Sequence, residues 1–525
     1  MHKDFRASGA TESLVKVTEE SEQTHVRQAA LLSVAALAKD PAIGTSVKTL
    51  QALILHARSA DPILQWYALG GIRNACRHAQ GLKQILKLAV VDVLVQSLDL
   101  HQNPSAQIQA IGAIGDLSLG DSKMATTVRA SLVQCAAYSA LCGCLERSES
   151  AEVRSKVCRT LQKVVGAPVD RTTPLAKSQI ESTGLATTVT QLLRSEAAMA
   201  VEGFQTIAVL ARFSDALAAS FVQVGAARAA TRAIGTTDKM IVSSALLALS
   251  SLSERDELVP ALRQNGVLAA LATLNTGKRA ELTGLAIECI ANFARIDEAR
   301  TEIAHEGALQ KILKSWDGNA EGAIAKACGR ALYNLCLGGL SRVMVVQAGG
   351  VDTIVALMSS KDEQTRLYAV GAAASLSENF EFAIQVVKQG GVPALVRAAN
   401  DKGVIGRYGL LALAEMTNLQ ETHGVLVANG AVEPMLAAAM TPSGRGGHDI
   451  EVQQHASLAV CNLACSDSAR SVLQSIGGPA KLSALARSAL APPEIANIAN
   501  VALANLLRRE QTLTQVVPFS PMDPI

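Results

Sequence analysis

Residues 327–354 read ACGRALYNLCLGGLSRVMVVQAGGVDTI, and this stretch contains the signals that decide the fold. Ala327, Ala331 and Leu335 recur at the spacing of an amphipathic helix with a wide apolar stripe. A short apolar segment at 343–347 follows, and Gly349 then permits a sharp corner with positive φ before a further helix begins. The stretch therefore predicts a unit of three helices.

The same corner recurs along the chain. Its glycines are separated by steps of 41, 41, 41, 42, 41, 40 and 47 residues, and they are Gly184, Gly225, Gly266, Gly307, Gly349, Gly390, Gly430 and Gly477. Weaker letters at Gly9, Lys48, Ala89 and Ala136 extend the frame to twelve registers. Three helices cannot enclose a core alone, but stacked units cover each other's apolar faces. The frame predicts one solenoid over residues 9–509, an N-terminal extension at 1–8 and a flexible tail at 510–525. Folding back of the tail as a cap or an internal ligand stays open.

Composition narrows the class of protein. The chain has 525 residues, of which 49% are apolar and 3% aromatic, and its net charge is +2. Intrinsic disorder is excluded for the chain as a whole, and no global field favours nucleic acid or an anionic membrane. The longest uncharged run, residues 130–145, is too short and too polar for a transmembrane segment.

The ten cysteines mostly lie among alanines and leucines and lack the spacing of zinc ligands. We therefore expect reduced, buried thiols and no metal or other cofactor. The first ten residues, MHKDFRASGA, lack the apolar core of a signal peptide. We predict a cytoplasmic protein, with the nucleus or a cytoskeletal or ciliary location left open.

A second landmark follows each corner by about 25 to 28 residues in most of these roughly forty-residue units. It is an "A-L-x-N-L" motif, complete at residues 331–335 and varied around Asn292, Asn462 and Asn505. The glycine corner and this motif, in one frame, resemble armadillo repeats; the rival HEAT repeats usually lack the glycine corner. The resemblance implies an all-α, right-handed α-solenoid (superhelix) of about twelve armadillo repeats.

The resemblance also implies a binding surface. In armadillo proteins the third helices line a concave groove, and a ladder of asparagines hydrogen-bonds the backbone of an extended peptide, whose N–H and C=O groups need partners. We take the ladder position of each repeat as a candidate; the polar residues there include Asn74, Asp116, Lys163, Arg212, Asn292, Asn334, Asn462 and Asn505. The alternative is that each asparagine is a structural amide that caps a neighbouring helix.

Basic residues gather in the first half of this face. Lys156, Arg159 and Lys163 are spaced at i, i+3 and i+7, and Arg212 occupies the next ladder position. Such a patch suits a carboxylate-bearing or phosphorylated peptide. A solvated helix face would show the same pattern.

Two tyrosines repeat in the second half. Tyr368 and Tyr408 lie 40 residues apart, seven residues before the ladder position, and we expect them near Arg330 and Asn334. They are candidates for a stacking or hydrogen-bonding platform. Burial between repeats is the alternative.

Motifs of the main enzyme classes are absent, including the phosphate-binding loop, the nucleophile elbow and the H-E-x-x-H zinc motif. Importin-α-like members carry tryptophans four residues before the ladder, but this chain has none there, so an import receptor is rejected. We favour a non-enzymatic scaffold that captures an extended peptide. The alternative is an architectural component of a cytoskeletal, ciliary or organelle-tethering assembly that binds through convex or end surfaces.

Two Pro/Gly-rich stretches break the period, at residues 166–178 and 440–449. We expect both to be surface loops. They are tolerated insertions or regulatory segments, and the sequence leaves both readings open.

Overall fold

The structure is a computed structural model that describes residues 9–120, 122–170, 172–275, 279–305, 307–316, 318, 321–441 and 450–507. Within these ranges all regular elements are helical and none is a strand, which confirms the all-α prediction. The predicted extension, the predicted tail and residues 442–449 lie outside the described residues. Contacts divide the chain into unit 1, which ends at Val267, and unit 2, which begins at Leu268.

Unit 1 contains eighteen described α-helices. They are α1 (Ala10–Glu20), α2 (Thr24–Leu37), α3 (Pro41–Gly44), α4 (Val47–Ala57), α5 (Pro62–Cys76), α6 (Leu82–Lys87), α7 (Val90–Gln96), α8 (Pro104–Ser118), α9 (Lys123–Gln134), α10 (Ala137–Arg147), α11 (Ala151–Val165), α12 (Thr173–Glu181), α13 (Leu185–Leu192), α14 (Ala197–Phe213), α15 (Asp215–Gln223), α16 (Ala226–Ile234), α17 (Lys239–Ser253) and α18 (Val259–Gln264). Short 3₁₀ turns at Ala79–Gly81, Ser97–Asp99 and Asp256–Leu258 join them.

The remaining α-helices continue the pattern, beginning with α19 (Val267–Thr273), which starts at the last residue of unit 1. They are α20 (Ala280–Phe293), α21 (Asp297–His305), α22 (Ala308–Ser315), α23 (Gly322–Cys336), α24 (Gly339–Gln347), α25 (Gly350–Leu357), α26 (Glu363–Ser377), α27 (Phe380–Lys388), α28 (Val392–Ala399), α29 (Val404–Met416), α30 (His423–Ala428), α31 (Val432–Met440), α32 (Ile450–Leu463), α33 (Asp467–Ser475), α34 (Gly478–Ala486) and α35 (Pro493–Leu507). A 3₁₀ turn at Gln420–Thr422 precedes α30.

The predicted frame matches the helices. The helix after each corner begins within two residues of its register, so the described helices are consistent with twelve registers. Seven of the eight corner glycines have positive φ, and Gly184 is the exception at −74°. The two described non-glycine residues with positive φ are Ala89 (50°) and Ala136 (53°), and both occupy the corner position. Ten of the twelve corner positions therefore have a left-handed backbone, and Lys48, which lies within α4, is the second exception.

The core lies between the second and third helices of each repeat. The residue five positions after the corner is at most 1% exposed in eleven registers, as at Leu53, Leu141 and Ile354. Leu14, in the first register, is half-buried. Apolar positions set by the corner thus supply the interior of each stack.

Third helices pack against the next third helix within each unit. In unit 1 the order is α2, α5, α8, α11, α14 and α17; in unit 2 it is α20, α23, α26, α29, α32 and α35. Capping side chains fix the start of five of them, which are α5, α8, α11, α17 and α26. On α5, for example, Asp61 Oδ1 accepts hydrogen bonds from the N–H groups of Ile63 and Leu64, and Pro62 occupies the first turn. Each row of third helices forms one continuous face.

The expected loop at residues 166–178 is only partly a loop. Residues 173–178 belong to α12, so the prediction is wrong there. The Pro174 ring fits the first turn of that helix, where its missing N–H costs nothing. Asp170, just before it, accepts a hydrogen bond from Arg129 Nε at 2.7 Å, and Arg129 is 4% exposed. This ion pair ties the non-helical part of the segment to α9.

Seven of the ten cysteines are buried, as expected. Burial raises the pKa of Cys158 to about 12, so this thiol stays protonated at neutral pH. Among the described residues, no single helix is both long and apolar enough to cross a bilayer. Two bent helix pairs, α9 with α10 and α24 with α25, are long and apolar enough only when both helices of the pair are taken together.

Candidate functional site

A cluster of cations surrounds Asp116 on the third-helix face of unit 1. Asp116, on α8, lies 3.0 Å from Lys163 Nζ of α11 and 3.1 Å from Arg77 Nε, which follows α5. Arg73 Nε of α5 lies 3.6 Å away. Lys156, on the same face of α11 as Lys163, interacts electrostatically with the same carboxylate. We call Arg73, Arg77, Lys156, Lys163 and Asp116 the Asp116 cluster.

The cluster carries four positive charges around one carboxylate, whose side chain is only 10% exposed. Burial would raise the pKa of Asp116, but hydrogen bonds from Lys163 and Arg77 outweigh it and hold that pKa below its usual range. Desolvation, and then repulsion from Arg73 and Lys163, lowers the pKa of the Lys156 ammonium. Across the described ranges, no carboxylate lies within 4 Å of Lys156 Nζ. The cluster therefore has uncompensated positive charge and would favour an added anion.

Gly112 of α8 makes room for this arrangement. A Cβ atom built on it would lie 2.6 Å from Arg73 Nε and 2.7 Å from Arg73 Cζ. The guanidinium thus lies directly over the α8 backbone, and its Nη1 donates to Gln109 Oε1 at 3.1 Å. Gly112 therefore permits close packing, and the packed group is a charged one.

The predicted basic patch does not stay together as one open surface. Arg159 forms an ion pair with Glu202 at 2.6 Å, and Arg212 forms one with Glu254 at 2.9 Å. Both charges are therefore balanced locally. Only Lys156 and Lys163 of the predicted set belong to the Asp116 cluster.

The ladder asparagines form hydrogen bonds to the preceding repeat. Asn74 Nδ2 donates to the Ala35 carbonyl at 3.0 Å, and Asn334 Nδ2 donates to the Ala291 carbonyl at 2.9 Å. Both bonds join one third helix to the one before it. They match the alternative of a structural amide, while the carboxamide oxygen of the half-buried Asn74 remains an acceptor for a peptide N–H.

The other three asparagines differ in exposure and partners. Asn292 is 1% exposed, so the protein covers it. Asn462 Nδ2 donates to Asn418 Oδ1 at 3.0 Å, and Asn505 Nδ2 lies 3.3 Å from Cys465 Sγ. Asn462 and Asn505 are half-buried. The five positions are therefore not equivalent rungs, and half-buried ones are the better candidates for peptide contact.

Tyr368 and Tyr408 do belong to one aromatic cluster in unit 2, and a third ring, Tyr333, joins them. The Tyr333 ring centroid lies 6.0 Å from that of Tyr368 and 6.2 Å from that of Tyr408. The Tyr333 and Tyr408 hydroxyl oxygens are 3.1 Å apart. Arg330, one turn from Asn334 on α23, binds Glu288 instead, since its Nη2 donates to the Glu288 carbonyl at 3.2 Å.

Sequence reasoning missed Arg73, Arg77 and Tyr333. Arg73 and Tyr333 share one register, since each immediately precedes a ladder asparagine. Reading that position in every repeat would have found both. Arg77 lies just beyond the end of α5, where the repeat alignment supplied no landmark.

Comparisons with known proteins agree with this architecture. Residues 341–378 match the family model for the armadillo/beta-catenin-like repeat. No curated protein sequence matches the chain. A crystal structure of an engineered protein is 24% identical and has a TM-score of 0.68, over 79% of this chain and 98% of that one. A structure from work on a phosphorylation switch that controls the interaction between cadherin and beta-catenin is 15% identical, with a TM-score of 0.65 over 94% of this chain and 98% of that one.

Proposed function

The chain has the armadillo-repeat fold, and on that premise we propose that it is a non-enzymatic protein-binding scaffold. It captures an extended segment of a partner protein along the third-helix face, and the segment carries carboxylate or phosphate groups. The observation that carries the proposal is the Asp116 cluster, with four cations around one buried carboxylate.

Several physical features support an anionic partner. Guanidinium and ammonium groups form the strongest hydrogen bonds with carboxylates and phosphates. Arg73 is held by Gly112 and Gln109, so little side-chain entropy is lost when it binds. Arg77 is half-exposed, and Lys156 has no carboxylate of the described chain within reach. The similar structure from the cadherin and beta-catenin work concerns an interaction under phosphorylation control, which is consistent with a charged partner.

The asparagines would supply the backbone contacts. Asn74 lies on α5 beside Arg73 and Arg77, and its amide nitrogen already binds the Ala35 carbonyl. Its Oδ1 can therefore accept a hydrogen bond from an N–H group of the captured peptide. In this mode Asn74 would join two repeats and one peptide strand.

The test compares charge-reversal variants of the full chain. Arg77→Glu/Lys156→Glu removes the two most available cations, while Lys83→Glu/Lys123→Glu makes the same charge change on exposed residues of α6 and α9. The probe is a fluorescent, extended acidic peptide that contains one phosphoserine. We expect the cluster variant to weaken binding by about tenfold or more, because charge-assisted hydrogen bonds contribute about 1.5–3 kcal/mol each. The control variant should bind as the wild type does.

Co-purification from native cells completes the test. Partners should be lost with the cluster variant and kept with the control variant. Equal loss with both variants would indicate unspecific attraction and contradict a defined site. Full retention of every partner with both variants would favour the architectural alternative, in which convex or end surfaces bind.

A further inference from the structure

The tyrosine cluster of unit 2 joins three successive repeats. Tyr333 lies on α23, Tyr368 on α26 and Tyr408 on α29, and these third helices pack in that order. The two outer rings lie within about 12 Å of each other, because each is about 6 Å from Tyr333. All three residues are half-buried, so each is partly exposed to solvent. Together they form a surface that we call the tyrosine platform.

Gly371 lies beneath the platform. A Cβ atom built on this residue would lie 2.7 Å from Tyr333 Cε2 and 3.2 Å from Tyr408 Cε2. Rings from α23 and α29 thus meet over the backbone of α26, and their hydroxyl groups are hydrogen-bonded there. A larger residue at 371 would separate the rings. The contact with Gly371 and the hydroxyl hydrogen bond therefore set the positions of the Tyr333 and Tyr408 rings.

Aromatic surfaces of this kind bind proline-rich segments in the polyproline II conformation. Such a segment has three residues per turn and rises about 3.1 Å per residue, so prolines at every third position repeat after about 9.3 Å. Packed helices lie about 8–10 Å apart. The spacing between such prolines therefore matches the spacing between successive third helices, and two of the prolines fit the span of the platform.

The chain contains a segment with this period after its last described helix. Residues 518–524 read PFSPMDP, which places Pro518, Pro521 and Pro524 at three-residue intervals. This segment lies outside the described residues and follows α35 of the same unit. The proposed capture of an anionic peptide in unit 1 gives residues 518–524 no role.

The connection is long enough. From α35 to α29 there are two helix spacings, or about 20 Å. Leu507 lies two residues after the ladder position of its repeat, and Tyr408 lies seven residues before the ladder position of its own repeat. Along the helix direction the two residues are therefore offset by nine residues, or about 14 Å. The direct separation is thus about 24 Å, whereas the ten residues before Pro518 can span about 33–36 Å.

We propose that residues 518–524 bind the tyrosine platform of the same chain as a polyproline II segment. Pro518 and Pro521 would stack against the rings, and the chain would run from α29 towards α23. Bound in this way, the segment covers a portion of the third-helix face of unit 2 and excludes other ligands from it. This proposal is separate from the capture of an anionic peptide at the Asp116 cluster, which lies in unit 1.

Site-specific photocrosslinking in the full chain tests the proposal. Phe519 is replaced by benzoylphenylalanine, the protein is irradiated, and the crosslinked peptides are identified by mass spectrometry. We expect crosslinks to α23, α26 or α29 of the same chain. Their yield should stay constant over about a hundredfold range of protein concentration, since a short tether gives an effective concentration on the order of millimolar.

Two tail variants separate the proposed contact from simple proximity. Insertion of one alanine between Phe519 and Ser520 breaks the three-residue period and should lower the crosslink yield severalfold. Ser520→Ala keeps the period and should leave the yield unchanged. Both changes lie beyond Leu507, where the last described helix ends, so neither alters a described helix.

Three results would overturn the proposal. Crosslinks scattered over other helices would remove the platform as the site. Equal yields with and without the inserted alanine would show that proline spacing is irrelevant. Crosslinks between chains that increase with concentration would assign the segment to a second copy. None of these results bears on peptide binding at the Asp116 cluster, which the charge-reversal experiment tests.

Discussion

Replacement of Gly349 by alanine should destabilise unit 2 through the backbone alone. Gly349 has φ of 80°, and a Cβ atom built there meets no atom within 4 Å. The left-handed conformation costs an L-residue about 1–2 kcal/mol. Alanine also reduces the entropy of the unfolded chain, which returns about 0.4–1 kcal/mol. We expect a net loss of about 1 kcal/mol in the free energy of unfolding.

Gly184→Ala is the matched control. This residue occupies the same corner position, and an added Cβ again meets nothing within 4 Å, but its φ is −74°. Only the entropy term then applies, so we expect a gain of about 0.5 kcal/mol. Ala89→Gly provides the reverse change at a φ of 50° on an exposed residue and should also be stabilising.

Urea denaturation followed by tryptophan fluorescence measures these effects. Trp316 reports on unit 2 and Trp66 on unit 1, with the other tryptophan replaced by phenylalanine in each case. With a slope of about 3 kcal/mol per molar urea, a loss of 1 kcal/mol lowers the midpoint by about 0.3 M. Similar shifts for Gly349→Ala and Gly184→Ala, in size and sign, would refute the reasoning from φ.

Single contacts give three further predictions. Asn334→Ala should destabilise unit 2 by about 1–3 kcal/mol, because it leaves the Ala291 carbonyl without its donor. Asn334→Asp should destabilise it more, because the new carboxylate also repels that carbonyl oxygen; urea midpoints measure both variants. Desolvation raises the pKa of Asp170, but hydrogen bonds outweigh it and hold that pKa at about 2. The contribution of Asp170 to stability is therefore present above pH 4 and is lost as the pH falls towards 2. In an acid titration, the Asp170→Asn variant should not show this loss. Gly112→Ala should displace Arg73 from α8 and weaken binding of the phosphoserine peptide, and an unchanged affinity would contradict the role given to that contact.

The repeat frame could be read from the sequence because corner chemistry is local. Ten of the twelve corners have a left-handed residue, and glycine occupies nine of the twelve corner positions. The same frame identified Ala89 and Ala136 as corner residues, and their positive φ confirms it. Residues 173–178 were misjudged because polar letters and a proline also suit the first turn of a helix.

The site was harder to predict because its contacts cross repeats. Arg159 and Glu202 are 43 residues apart, and periodicity alone gives the row of each residue but no side-chain direction. The basic patch was therefore predicted as open, although three of its four members, Arg159, Lys163 and Arg212, have carboxylate partners. The contact of Tyr333 with Tyr408 spans two repeats and depends on how strongly the face curves, which no local pattern encodes.

The meeting of Tyr333 and Tyr408 has a mechanical consequence for the stretch between them. A solenoid ordinarily flexes because each layer touches only the next one. Here the Tyr333–Tyr408 hydrogen bond joins the first and third layers directly, across the second layer. Bending that opens this face must first break the hydrogen bond between the two hydroxyl groups and separate the rings. These three layers should therefore be stiffer than layers that lack such a contact.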